Sequence, residues 1–166
     1  MQFSLIDRII EIQPGVQITA VKSLTLAEEY LADHFPRFPV MPGVLMLEAM
    51  TQASAWLIRV SDDFAHSMVV LKQANNVKYG HFVEPGQSLR VTAEILNNGD
   101  SEVKLKARGT VNGRTTVGAR LVLAKYNLAD SSPARADIDQ AAKEEFRKTY
   151  TLLYRPAEAV PEESAS

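Results

Sequence analysis

Cysteine is missing from all 166 residues, which excludes disulfides, thiolate nucleophiles and thiolate metal ligands together. The three histidines, His34, His66 and His81, are scattered and share no ligand spacing, so the sequence gives no metal centre. No apolar run is both long enough and free enough of charge to span a bilayer, and the first residues lack the basic-then-apolar layout of an export signal. A cytoplasmic location is the resulting expectation. Positive charge is not in excess either: 18 Lys and Arg against 20 Asp and Glu leave a net charge of -2, which removes the electrostatic ground for nucleic-acid binding. A phosphate-cradling glycine loop, an internal repeat and low-complexity tracts are absent as well. What remains is a chain with a 46% apolar fraction, long enough for one domain around one core.

Within it, the stretch DHFPRFPVMPGVLMLEAMTQASAWLIRV, Asp33 to Val60, concentrates the chemistry. Helical spacing puts Val44, Leu47, Thr51, Ser54 and Ile58 on one side and Met46, Met50, Ala53, Leu57 and Val60 on another, so the spacing predicts a helix buried over most of its circumference. Glu48, Gln52 and Arg59 align as one polar stripe. A carboxylate deep in an apolar run needs a hydrogen-bonding partner or a proton, and Gln52, one turn on, is placed to hold Glu48. A plainer reading of Glu48 is a partly solvated position at an interface. Pro42 suits a first-turn position, Gly43 leaves the backbone bare for close approach of a ligand, and free N–H groups at a helix start suit a polarised carbonyl or an anion. His34 stands upstream in a loop stiffened by Pro36 and Pro39. Alone, such a histidine reads as a surface residue; beside a buried acid and a bare helix start it becomes a candidate for proton transfer.

Around this segment, Asp7 to Ile12 and Val16 to Leu24 read as strands joined at Pro14-Gly15, and Ala27 to Ala32 as a short helix. Met68 to Val77 reads as a further strand. Strict alternation then marks three more, with turns at Asn97-Asn98-Gly99-Asp100 and Asn112-Gly113. Half-buried strands and one long apolar helix together predict an α+β domain, an antiparallel sheet wrapped around a central helix. Residues 129–155 form an extension in which Ile138, Ala142, Phe146, Tyr150 and Leu153 recur at helical spacing, predicting an amphipathic helix over 133–155 docked on its own domain or on a neighbour. Pro156 to Ser166 is polar and expected to be a disordered tail.

HFPRFPVMPGVLMLEAMTQA resembles the signature of the hot-dog-fold 3-hydroxyacyl-acyl-carrier-protein dehydratases of FabZ type, G-H-F-P-x-x-P-V-x-P-G-V followed by a glutamate in E-A-x-x-Q. His34, Phe35, Pro36, Pro39, Val40, Pro42, Gly43, Val44, Glu48, Ala49 and Gln52 match as they stand. LIDRIIEIQPG and VKYGHFVEPG are similar to the family's opening and later segments, so the resemblance spans roughly residues 3–125, within a domain of residues 1–128. Asp33 replaces a glycine before the histidine, Arg37 a glycine after it, and Gly80, His81 and Phe82 a basic, proline-containing run. A carboxylate at Asp33 has the means to retune the histidine.

The resemblance implies dehydration of 3-hydroxyacyl thioesters on acyl carrier protein to trans-2-enoyl thioesters, in fatty acid or related lipid synthesis. It makes His34 the base at C2 and Glu48 the group on the leaving hydroxyl, and puts the thioester carbonyl on the Gly43 and Val44 N–H groups. Gln52 and Asp33 become supporting residues, and Phe35, Met46, Met50 and Tyr79 candidates for an acyl tunnel. It also implies a homodimer at least, or a hexamer built as a trimer of dimers, with each site sharing residues of two subunits, and no cofactor, since the thioester supplies the activation. FabA-type relatives that also isomerise carry aspartate at the Glu48 position, which favours dehydration alone. The basic face of Lys104, Lys106 and Arg108, or Lys72 and Lys78, would suit an acidic carrier. Two further readings fit the same fold: a non-catalytic acyl-binding or structural subunit, and an acyl thioesterase.

Overall fold

The computed structural model describes residues 3–156, so the expected tail lies, beyond Pro156, outside the described residues. Six strands, β1 (Arg8–Gln13), β2 (Gln17–Ser23), β3 (Met68–Tyr79), β4 (Ser88–Asn98), β5 (Glu102–Val111) and β6 (Arg114–Tyr126), form one sheet in the order β1-β2-β4-β5-β6-β3. Every neighbouring pair is antiparallel. Alternation sets which face is buried: Val103, Leu105, Ala107, Gly109 and Val111 of β5 point inward while Lys104, Lys106 and Arg108 point out. The expected short helix is a 3-10 turn, Glu29–Ala32, leading into the His34 loop.

The long helix α1 (Gly43–Ser61) crosses the concave face of the sheet. Met46, Ala49, Met50, Ala53, Leu57 and Ile58 enter the core. Burial is less complete than the apolar pattern predicts: Val44 is 65% exposed, and Glu48 and Gln52 are half-buried. The sheet covers one side of a helix, and in the protomer the side bearing Val44 and Glu48 has no sheet over it. The far end of α1 is fixed by Lys125 of β6, whose buried ammonium meets the Asp62 carboxylate at 2.7 Å and the Asn98 side-chain oxygen at 2.9 Å.

The extension begins with a 3-10 turn at Pro133–Arg135 and continues as α2 (Ala136–Leu153). Phe146 and Tyr150 pack on Trp56 and Phe64 of the domain. Ile138, expected on the packed face, is 56% exposed. Asp139 is buried in its place: its carboxylate accepts hydrogen bonds from the Ser67 hydroxyl, the Leu128 N–H at 2.9 Å and the Ala129 N–H at 2.8 Å. Burial alone would push that carboxyl up; the Ser67 and backbone hydrogen bonds outweigh it and hold the group below its ordinary range. Among the described residues, no helix is long and apolar enough to cross a membrane.

Candidate active site

His34 follows the 3-10 turn in a tight reversal. Phe35 and Phe38 exchange backbone hydrogen bonds, and the Val40 N–H donates to the His34 carbonyl at 3.0 Å. The ring lies 3.1 Å through Nδ1 from the Val40 carbonyl. A carbonyl only accepts, so Nδ1 carries the proton and Nε2 the lone pair of the neutral ring. Phe35 stacks on the imidazole at 4.2 Å between centroids. Asp33 is exposed; its N–H bonds the Tyr30 carbonyl, and its carboxylate makes no hydrogen bond or ion pair among the described residues. The structure therefore does not bring Asp33 to the imidazole.

Two residues beyond Val40, Pro42 occupies the N-cap of α1 and supplies no side-chain cap. The N–H groups of Gly43 and Val44 have no acceptor among the described residues and form an open donor pair at the positive end of the helix. Gly43 is small for a reason the sequence does not show. A Cβ there would lie 2.9 Å from Cε1 of Tyr79, whose ring rests on the first turn.

Glu48 stands one turn further. Its Oε1 accepts from Nε2 of Gln52 at 2.9 Å, and Gln52 is held in turn: its Oε1 accepts from the Leu5 N–H at 2.8 Å and its Nε2 also donates to the Phe3 carbonyl at 3.0 Å. The amide thus fixes one carboxylate oxygen and joins the N-terminal segment to the helix. Beside Glu48 opens a cleft of ≈ 530 Å³ lined on α1 by Glu48, Thr51, Gln52, Ala55, Trp56 and Arg59. Thr51, Ala55 and Trp56 carry no site signal in the sequence, where Thr51 reads only as part of a helix side; their spacing from Glu48 marks one helical face. Met46 and Met50 lie in the core at 3% and 0% exposure and do not line this cleft, whereas Phe35 and Tyr79 are exposed.

His34 does not line the cleft beside Glu48, and the two side chains make no hydrogen bond to each other. On the outer face of the sheet, Lys78, Lys106, Arg108 and Arg120 border a shallow trench of ≈ 410 Å³ that reaches Tyr79. Lys72, by contrast, is paired with Glu102.

An antiparallel sheet rolled on one long helix defines a hot-dog domain. The chain belongs to the FabA-like family, whose FabA-like domain matches residues 1–120. A 3-hydroxyacyl-[acyl-carrier-protein] dehydratase FabZ of Janthinobacterium sp. (strain Marseille) is 38% identical over 135 residues, covering 78% of this chain and 85% of the relative. Another of that name from Geobacillus thermodenitrificans is 36% identical over 122 residues, covering 74% and 84%. Among solved structures, the dehydratase heterocomplex ApeI:P of Xenorhabdus doucetiae matches with a TM-score of 0.64 at 16% identity, over 80% of this chain and 90% of that one. A hypothetical thioesterase with coenzyme A from Streptococcus pneumoniae matches at 0.55 and 14%, over 71% and 86%. At these identities the solved structures share the fold alone.

Proposed function

We propose that the protein is a 3-hydroxyacyl-acyl-carrier-protein dehydratase, converting 3-hydroxyacyl thioesters to trans-2-enoyl thioesters and water. The observation that carries this reading is the His34 loop. It commits Nδ1 to Val40 and leaves Nε2 as a free base, on the segment that ends in an unsatisfied helix N-terminus. The thioester carbonyl accepts from the Gly43 and Val44 N–H groups, which stabilise the negative charge that develops there as C2 loses its proton. Nε2 of His34 takes that proton, the C2–C3 double bond forms and the C3–O bond breaks. Glu48, steadied by Gln52, donates a proton to the departing hydroxyl, which leaves as water. Return of the proton from His34 to Glu48 resets the site.

We further assign His34 and Glu48 of one site to two subunits of a homodimer. Support comes from the absence of His34 from the Glu48 cleft and from an apolar rim around the His34 loop and the start of α1, where Phe35, Phe38, Val44, Tyr79 and Phe82 are all at least half exposed. The basic trench at Lys78, Lys106, Arg108 and Arg120 suits the acidic surface of a carrier protein, and none of these four makes an ion pair among the described residues. Enoyl absorbance with a 3-hydroxyacyl thioester tests the assignment. The wild type turns over, and His34→Ala and Glu48→Gln each lose roughly 10²–10⁴-fold in kcat while remaining folded dimers by light scattering. A folded wild type inactive on carrier-linked substrates refutes it.

A further inference from the structure

The cleft beside Glu48 runs along a single face of α1. Its residues fall at Glu48, Gln52, Ala55 and Arg59, with Thr51 and Trp56 beside them, so it extends about 16 Å along the helix by the usual rise per residue. Val69, Val70 and Leu71 of β3 flank it. Towards Arg59 it is lined by Glu145, Phe146 and Thr149 of α2, an element beyond the residues that match the family's domain. There the Phe146 ring meets the Trp56 ring edge-on at 5.9 Å, and the Arg59 guanidinium lies 3.9 Å from the Phe146 centroid and 5.3 Å from Trp56. Thr149, one turn from Phe146, also faces the cleft.

This end wall is built to stay in place. Arg59 forms no salt bridge among the described residues and its Nε is buried without an acceptor, while its guanidinium rests against the two aromatic rings, a contact that favours the cation. At its N-terminal end α2 is tied by Asp139 to Ser67 and to the Leu128 and Ala129 N–H groups, and at mid-length by Arg147, which donates to the Asp63 carbonyl at 2.9 Å. A mostly apolar cleft that runs from the Glu48 carboxylate to an anchored helix bearing Phe146 is placed to measure a chain laid along it.

We propose that α2 is the chain-length ruler of this enzyme: the acyl chain lies along the Glu48–Arg59 face, and Phe146, backed by Arg59 and Trp56, limits how far it extends. The inference rests on the dehydratase reading for the identity of the chain. Two measurements separate the failure of one from the failure of the other. The first is the ratio of kcat/KM for 3-hydroxypalmitoyl to 3-hydroxybutyryl thioesters of pantetheine. Phe146→Ala raises this ratio at least about tenfold, the lower end of what one methylene is worth in an apolar pocket, and Thr149→Trp lowers it by a similar factor. Simple loss of α2 packing would depress both substrates together. The second is the emission of Trp56, the only tryptophan of the chain, which lies in the cleft wall. In the wild type it shifts on titration with the longer thioesters and less with the shortest. A wild type that turns over while both variants keep the ratio within twofold overturns the ruler. Chain-dependent Trp56 emission in a protein without turnover keeps the ruler and removes the dehydratase reading; no turnover and no emission change removes both.

Discussion

Because Val40 offers His34 only a carbonyl oxygen, nitrogen-15 spectra of the neutral imidazole should show the proton on Nδ1 and a bare Nε2. The opposite tautomer would leave the ring unable to take a proton from C2 through Nε2. Gly43 makes a second test at this scale. Gly43→Ala places a methyl group against the Tyr79 ring, so it displaces that ring and lowers kcat, and pairing it with Tyr79→Ala restores packing; thermal unfolding and turnover of the single and double variants measure both effects. The sequence reveals part of this. The Glu48–Gln52 contact is an i, i+4 pair and follows from helix geometry alone. The His34–Val40 bond depends on the reversal between Phe35 and Phe38, and the Tyr79–Gly43 contact joins distant segments through sheet register, so neither can be read from local spacing.

Between elements, small polar groups make the long-range attachments. Gln52 joins α1 to the N-terminal segment through the buried Leu5 N–H. Gln52→Ala leaves that donor unpaired, which costs about 1–3 kcal/mol in denaturant unfolding and frees Glu48 to reorient. Asp139 attaches α2 in the same manner. Its carboxyl is held low in the folded protein, so its stabilising contribution is complete above the unfolded value of about 3.9 and fades as pH falls from there through the lower folded value. Acid titration should therefore release α2 first, reported by Trp56 emission, and Asp139→Asn should weaken α2 docking already at neutral pH. The periodicity of Phe146 and Tyr150 foretells the helix, but an aspartate serving as its buried anchor in place of Ile138 breaks the pattern from which the packed face is read.

At the scale of the whole molecule, shared sites make a prediction that single-subunit sites do not. If the proposed dimer shares its sites, co-expressed His34→Ala and Glu48→Gln subunits assemble heterodimers in which one site carries both lesions and the other carries none. Turnover then recovers to about a quarter of the wild type for random pairing in a two-fold dimer, although each parent is inactive. If one chain supplied both groups of a site, mixing would restore nothing. The hot-dog architecture itself is legible in the sequence because alternation and helical period are each strong over long stretches. The exposed face of α1 is less so, because Val44 looks like a core residue and meets solvent only once the sheet has taken the other side of the helix.

The sheet order leaves β3, a strand of 12 residues, at one edge, with Leu71 and Tyr79 exposed along it. Such an edge offers a row of backbone donors and acceptors to any extended chain nearby. A newly made subunit is thus an aggregation hazard until something covers β3. If the proposed dimer covers that edge, yield in the cell should depend on how fast copies meet, and so on expression level and temperature, more than on how stable each subunit is.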